Sequence, residues 1–180
     1  MTKRKTIDII VPAASTAVKN RDYFEIYKQI FKANTILRLI IVYPMCNPQI
    51  FVNAAAGYAD TKIIVTPYAV QNPYYGHSEL KEVIQRLVPI LAKDNPDEIV
   101  IITSGGTTKM GHMVSLVGNI SSQFGWEVFY YWVAKSPTKS DFVVTKLPEV
   151  ICEYTDDFSV IFLEEKNTIL VKGNINVNRR

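Results

Sequence analysis

Five short apolar runs alternate with segments of helical spacing, and this alternation limits the possible folds more than any other feature. The runs occupy residues 7–12, 36–43, 62–66, 98–103 and 127–133. The middle three are nearly continuous Ile, Val and Leu. A strand that is apolar on both faces has to be covered on both faces, as in a parallel sheet flanked by helices. Between the runs, Tyr23, Ile26, Tyr27, Ile30 and Phe31 form one helical stripe, and Ile50, Phe51, Ala54, Ala55 and Tyr58 a shorter one. Leu80, Val83, Ile84, Leu87 and Leu91 form a third, opposed by Glu79, Glu82, Gln85 and Arg86, with Pro89 expected to kink its last turns. Met110, Met113, Val114, Val117 and Ile120 form the fourth. Such a pattern predicts a Rossmann-like, doubly wound α/β fold with a mainly parallel sheet.

The character changes after Lys135. Residues 136–140 read as a loop, and short β-like runs follow at 142–145, 150–154, 158–163 and 168–172, with a hairpin turn at Glu165, Lys166 and Asn167. The expected organisation is therefore a Rossmann-like domain over residues 1–135. A β extension over 136–180 then either completes the sheet edge or packs beside it. Its last residues, from Asn174 on, are polar and expected to fray.

A length of 180 residues suits one domain with a full core. A formal charge of +3 is too small for a general duplex-DNA binder, yet it does not oppose a small polyanion. Cys46 and Cys152 match no metal-ligand spacing. No run is long enough to span a membrane, and no secretory signal is evident, so a cytoplasmic protein without metal or cofactor is expected.

In a five-stranded sheet of order 3-2-1-4-5, the chain reverses direction between strands 1 and 4, and ligands bind at the carboxyl ends of the strands there. Two loops meet at that point. After strand 1 come Pro12, Ala13, Ala14, Ser15 and Thr16. After strand 4 come Ser104, Gly105, Gly106, Thr107, Thr108 and Lys109. Glycines let a ligand approach backbone, free helix N–H groups favour an anion, and Lys109 adds charge. Gly105 and Gly106 equally suit a tight turn with Thr107 or Thr108 capping the next helix. The longer loop after strand 3 carries Gln71, Asn72, Tyr74, Tyr75 and His77, residue types that stack on and hydrogen-bond to a base. Together the three loops describe a nucleotide pocket. Neither G-x-x-x-x-G-K-[ST] nor G-x-G-x-x-G is present, which sets aside P-loop NTPases and dinucleotide enzymes.

The segment 98–132, with Ser104, Gly105, Gly106, Thr107, Thr108, Lys109 and Met110 followed by Phe129, Tyr130 and Tyr131, resembles the CRISPR-associated Rossmann fold (CARF) family. The run Leu39, Ile40, Ile41, Val42, Tyr43 is similar to that family's second strand. An extra threonine before Lys109 and a first loop without glycine depart from the family pattern. The resemblance, covering about the first three-quarters of the chain, implies a homodimer that binds cyclic oligoadenylate across its two-fold. Two copies of the 104–109 loop would then surround one ligand. The R-x4–6-H motif of attached ribonucleases is missing. The chain is therefore similar to the stand-alone ring nucleases, which cut the messenger without metal by attack of a ribose 2′-hydroxyl on the adjacent phosphate. By position, that resemblance implies Ser15 and Lys172 as the catalytic pair. Lys172 alternates with Thr168 and Leu170 on one strand face, where an edge lysine also guards against aggregation. The alternatives are a non-catalytic CARF sensor and a nucleotide-binding Rossmann enzyme unrelated to CRISPR.

Overall fold

The computed structural model describes residues 4–12, 17–31, 35–44, 55, 57–66, 77–104, 108–135 and 141–148. They form β1 (Lys5–Pro12), α1 (Ala17–Phe31), β2 (Thr35–Pro44), β3 (Asp60–Thr66), α2 (His77–Asp94), β4 (Glu98–Ile102), α3 (Thr108–Gln123), β5 (Val128–Lys135) and β6 (Phe142–Leu147). All nine lie in one α/β unit whose sheet order is β3-β2-β1-β4-β5-β6. The first five strands pair in parallel and β6 runs antiparallel to β5 at the edge. The chain is thus a Rossmann-like α/β protein with the expected strand order, extended by one antiparallel edge strand.

The apolar runs behave as two-sided burial requires. Ile9, Ile10, Leu39, Ile40, Ile41, Ile99 and Ile101 have no exposed surface. Each such side chain is worth about 1.5–3 kcal/mol relative to leaving it in water. The two faces can be assigned from ring and glycine contacts. Tyr131 on β5 meets Phe31 of α1 edge-on at 5.2 Å, and Phe142 on β6 meets Tyr23 of α1 at 5.1 Å. Tyr130, which points the opposite way, packs against Gly118 of α3. So α1 covers one face and α3 the other.

On the α3 side, parallel register places Asp8 beside Arg38 and Ile99. Arg38 Nε lies 2.7 Å from Asp8 Oδ1 and 3.5 Å from Asp94 Oδ2 at the end of α2, and its guanidinium also donates to the Asp94 carbonyl. This triad, built on the buried Asp8, locks α2 to the same face as α3. Burial pushes the Asp8 carboxyl up to about 8, helped by the neighbouring Asp94 carboxylate and opposed by Arg38. A proton on Asp8 leaves one carboxylate for one guanidinium. Asp8 Oδ2 is buried with no hydrogen-bond partner among the described residues, so a second charge there would be costly.

One local expectation needs correcting. The helical stripe ending at Tyr58 does not continue that far: Ala55 and Gly57 lie in turns, Gly57 at φ +91°, and the chain then enters β3. Residues 50–54 of that stripe lie outside the described residues. In α3, the polar residues Ser115, Asn119 and Ser121 are buried alongside its apolar residues. Ser115 and Ser121 donate to the carbonyls of Gly111 and Val117, one turn back, and Asn119 Nδ2 donates to the Tyr130 hydroxyl at 2.7 Å. Their polarity is satisfied internally, which removes the need for water. Pro89 lies within α2, and the helix runs through it to Asp94.

Candidate functional site

β1 and β4 are neighbours in the sheet, and the chain leaves them in opposite directions, β1 toward β2 and β4 toward β5. Their carboxyl ends therefore form the switch point. From there α1 starts at Ala17 on one face and α3 at Thr108 on the other. Neither helix has an acidic residue in its first turn, and each has a lysine there, Lys19 in α1 and Lys109 in α3. Both helix dipoles thus present positive ends at the same sheet edge, with no carboxylate in either first turn to cancel them.

The end of β4 is anchored more firmly than its strand assignment suggests. Thr103 N–H and Thr103 Oγ1 both donate to the Tyr131 carbonyl, at 2.9 and 3.0 Å. Ser104 Oγ then donates to the Val133 carbonyl at 2.7 Å and accepts from the Val133 N–H at 2.8 Å. One hydroxyl thereby replaces the peptide that a longer β4 would have supplied, and it holds the start of the glycine loop to β5. The expected ligand-binding residue Ser104 is buried at the switch point, and its only hydroxyl proton is given to β5.

Gly111 completes the anchoring. A Cβ there would sit 2.8 Å from the Thr103 carbonyl oxygen, a backbone atom unable to swing aside. Only glycine lets the first turn of α3 approach the end of β4 so closely, the same job the third glycine performs in dinucleotide-binding turns. Sequence reasoning passed over Gly111. The available signal was an isolated glycine inside a helical pattern, which marks close packing. Gly118 repeats the device two turns on, where a Cβ would fall 2.8–2.9 Å from Ile101 and Tyr130.

The structure places Ser104 and the first two positions of α3, Thr108 and Lys109, at the switch point. Ser15, Thr16, Asn72, Tyr74, Gly105, Gly106, Thr107 and Lys172 lie outside the described residues. No group of His, Cys, Asp or Glu that could hold a metal occurs among the described residues, and none of their helices is long and apolar enough to cross a membrane. A separate cleft of about 370 Å³, lined by residues including Arg4, Lys28, Thr35 and Tyr58, opens at the amino ends of the strands, the opposite edge from the switch point.

No protein-family profile matches the chain, and no curated protein matches it. Among solved structures, it is similar to Enterococcus italicus Csm6 bound to cyclic hexa-2′-fluoro-hexa-dAMP, with a TM-score of 0.47 and 14% identity. That match covers 91% of this chain, which spans only 40% of the other.

Proposed function

We propose that this chain is a CARF-type protein that binds cyclic oligoadenylate at the β1/β4 switch point and cuts it, acting as a metal-independent ring nuclease. The observation that carries the reading is the pair of acid-free helix starts, α1 and α3, each bearing a lysine and set on opposite faces of adjacent strand ends. An anion at that edge is attracted from both sides. A ring of nucleotides supplies one phosphate per residue, and a two-fold dimer would offer the edge twice to one symmetric ligand.

In the proposed reaction, a ribose 2′-oxygen bonds to the adjacent phosphorus, and the bond from phosphorus to the 5′-oxygen breaks. The 2′-hydroxyl proton is lost and the departing 5′-oxygen is protonated. The products are a 2′,3′-cyclic phosphate and a 5′-hydroxyl. Ser15 is assigned to hold the ribose and Lys172 to neutralise the charge that builds on the phosphoryl oxygens. The ligand-holding contacts are assigned to Thr16, Ser104, Gly105, Gly106, Thr107, Thr108, Lys109, Asn72 and Tyr74. Orientation and charge stabilisation account for most of the rate in such a scheme, which needs no metal.

The test is incubation with cyclic tetra-adenylate in excess EDTA, resolving linear products by chromatography. Cleavage is expected, and Ser15→Ala and Lys172→Ala should each abolish it. Tight binding without turnover would refute the nuclease and leave a messenger-binding sensor. No binding would refute the pocket itself.

A further inference from the structure

Four consecutive aromatic residues, Phe129, Tyr130, Tyr131 and Trp132, occupy β5, and three have partners. Phe129 lies under Lys146 Nζ at 4.5 Å, Tyr130 accepts from Asn119, and Tyr131 packs on Phe31. Trp132 has no ring or cation partner among the described residues and is 48% exposed. Covering that indole with an occupant would recover apolar burial that the sheet by itself forgoes.

Its place in the sheet narrows what that occupant is. Alternation along β5 puts Trp132 on the same face as Tyr130, the face covered by α3. Tyr131 pairs with Ile102, so the next rung sets Trp132 beside Thr103, the residue on whose carbonyl Gly111 of α3 rests. The following residue, Val133, holds Ser104. The ring therefore stands on the α3 face one rung beyond the end of β4, beside Thr103 and next to the residue that holds Ser104, and its cross-strand neighbour is the small Thr145.

We infer that Trp132 is the platform on which a base of the bound nucleotide stacks, while the switch point takes its phosphates. This rests on the nucleotide reading above and adds to it a base-contacting residue. Every base has a π-face, so the platform binds purines strongly without reading their edges.

The test uses 2′-deoxy cyclic tetra-adenylate, which lacks the attacking hydroxyl, so binding is measured apart from turnover. Affinity is read by calorimetry, and acrylamide quenching of tryptophan emission is read with and without ligand. Trp126, the other tryptophan of the chain, is fully buried, so the quenchable emission belongs to Trp132. Wild type should bind, and ligand should shield Trp132 from acrylamide. Trp132→Ala should bind about tenfold to a hundredfold more weakly, and Trp132→Phe, which keeps a ring, should recover most of the loss. Binding that is equal in wild type and Trp132→Ala, with quenching unaffected, overturns the platform and leaves the pocket standing. Shielding that rises with protein concentration and not with ligand also overturns it, by showing a contact between copies. Failure of wild type to bind overturns the nucleotide reading, and the platform with it.

Discussion

Ser104→Ala is expected to destabilise this protein far more than removal of an exposed hydroxyl would. Ser104 is 6% exposed and Val133 1% exposed, and the single hydroxyl satisfies both peptide groups of Val133. Beyond Ile102 no β4 backbone pairs with those groups. The alanine variant strands a buried N–H and a buried C=O together. Each orphan costs about 1–3 kcal/mol, so the pair should cost roughly 2–4 kcal/mol after some relaxation. For a chain of this length that corresponds to a fall in Tm of roughly 5–15 °C. Thr103→Val is the internal control. Thr103 Oγ1 and Thr103 N–H share one acceptor, the Tyr131 carbonyl, so losing the hydroxyl leaves that carbonyl paired and should cost only about 0.5–1.5 kcal/mol. Urea denaturation followed by circular dichroism gives both values on the ligand-free protein. If Ser104→Ala loses no more stability than Thr103→Val, Ser104 neither closes the sheet nor anchors the end of β4.

Two further tests probe the frame around the site. The Asp8 carboxyl is held well above the ordinary carboxylate range, so between about pH 4 and pH 8 the folded protein keeps a proton that the unfolded chain has lost. Stability should therefore be full at the acid end of that window and decline as pH rises through it, by at most about 1.4 kcal/mol per pH unit. Asp8→Asn imitates the protonated acid and should flatten the dependence; equal slopes in the two proteins would refute the assignment. At Gly118, alanine recovers about 1 kcal/mol of helix propensity but drives a methyl group into Ile101 and Tyr130, a cost of about 1–3 kcal/mol. A net loss in the urea midpoint is expected, with broken Asn119–Tyr130 pairing visible as faster amide exchange in β5. A stabilised Gly118→Ala protein would show that α3 does not seat as closely as described.

Much of the fold was legible in the sequence because strands buried on both faces must be almost purely apolar, as Ile99, Val100, Ile101 and Ile102 are. Those runs, spaced by helical stripes, left few topologies, and the observed order of the first five strands is the expected one. The site was legible at coarser grain. Glycines, hydroxyls and a lysine after β4 pointed to the switch point, but composition does not say what each hydroxyl bonds to. The partner of the Ser104 hydroxyl, 29 residues away on β5, is not visible in the loop's composition.

The sequence by itself determined the class of architecture and singled out the switch-point edge at which open α/β folds take ligands, since both follow from local periodicity and from loop chemistry next to known strand ends. Only the tertiary structure decided how that edge is held. The Ser104–Val133 pair joins residues 29 apart in the chain, and the contact of Gly111 with Thr103 seats α3 on the strand before it; the Asp8–Arg38–Asp94 triad, nearer the amino ends of the strands, ties α2 to β1 and β2. The burial of Asn119 likewise depends on a partner, the Tyr130 hydroxyl on β5, that helical spacing does not reveal. A hydroxyl, a carboxyl or a glycine has the same local pattern whether it faces water or a second strand, and packing alone settles which.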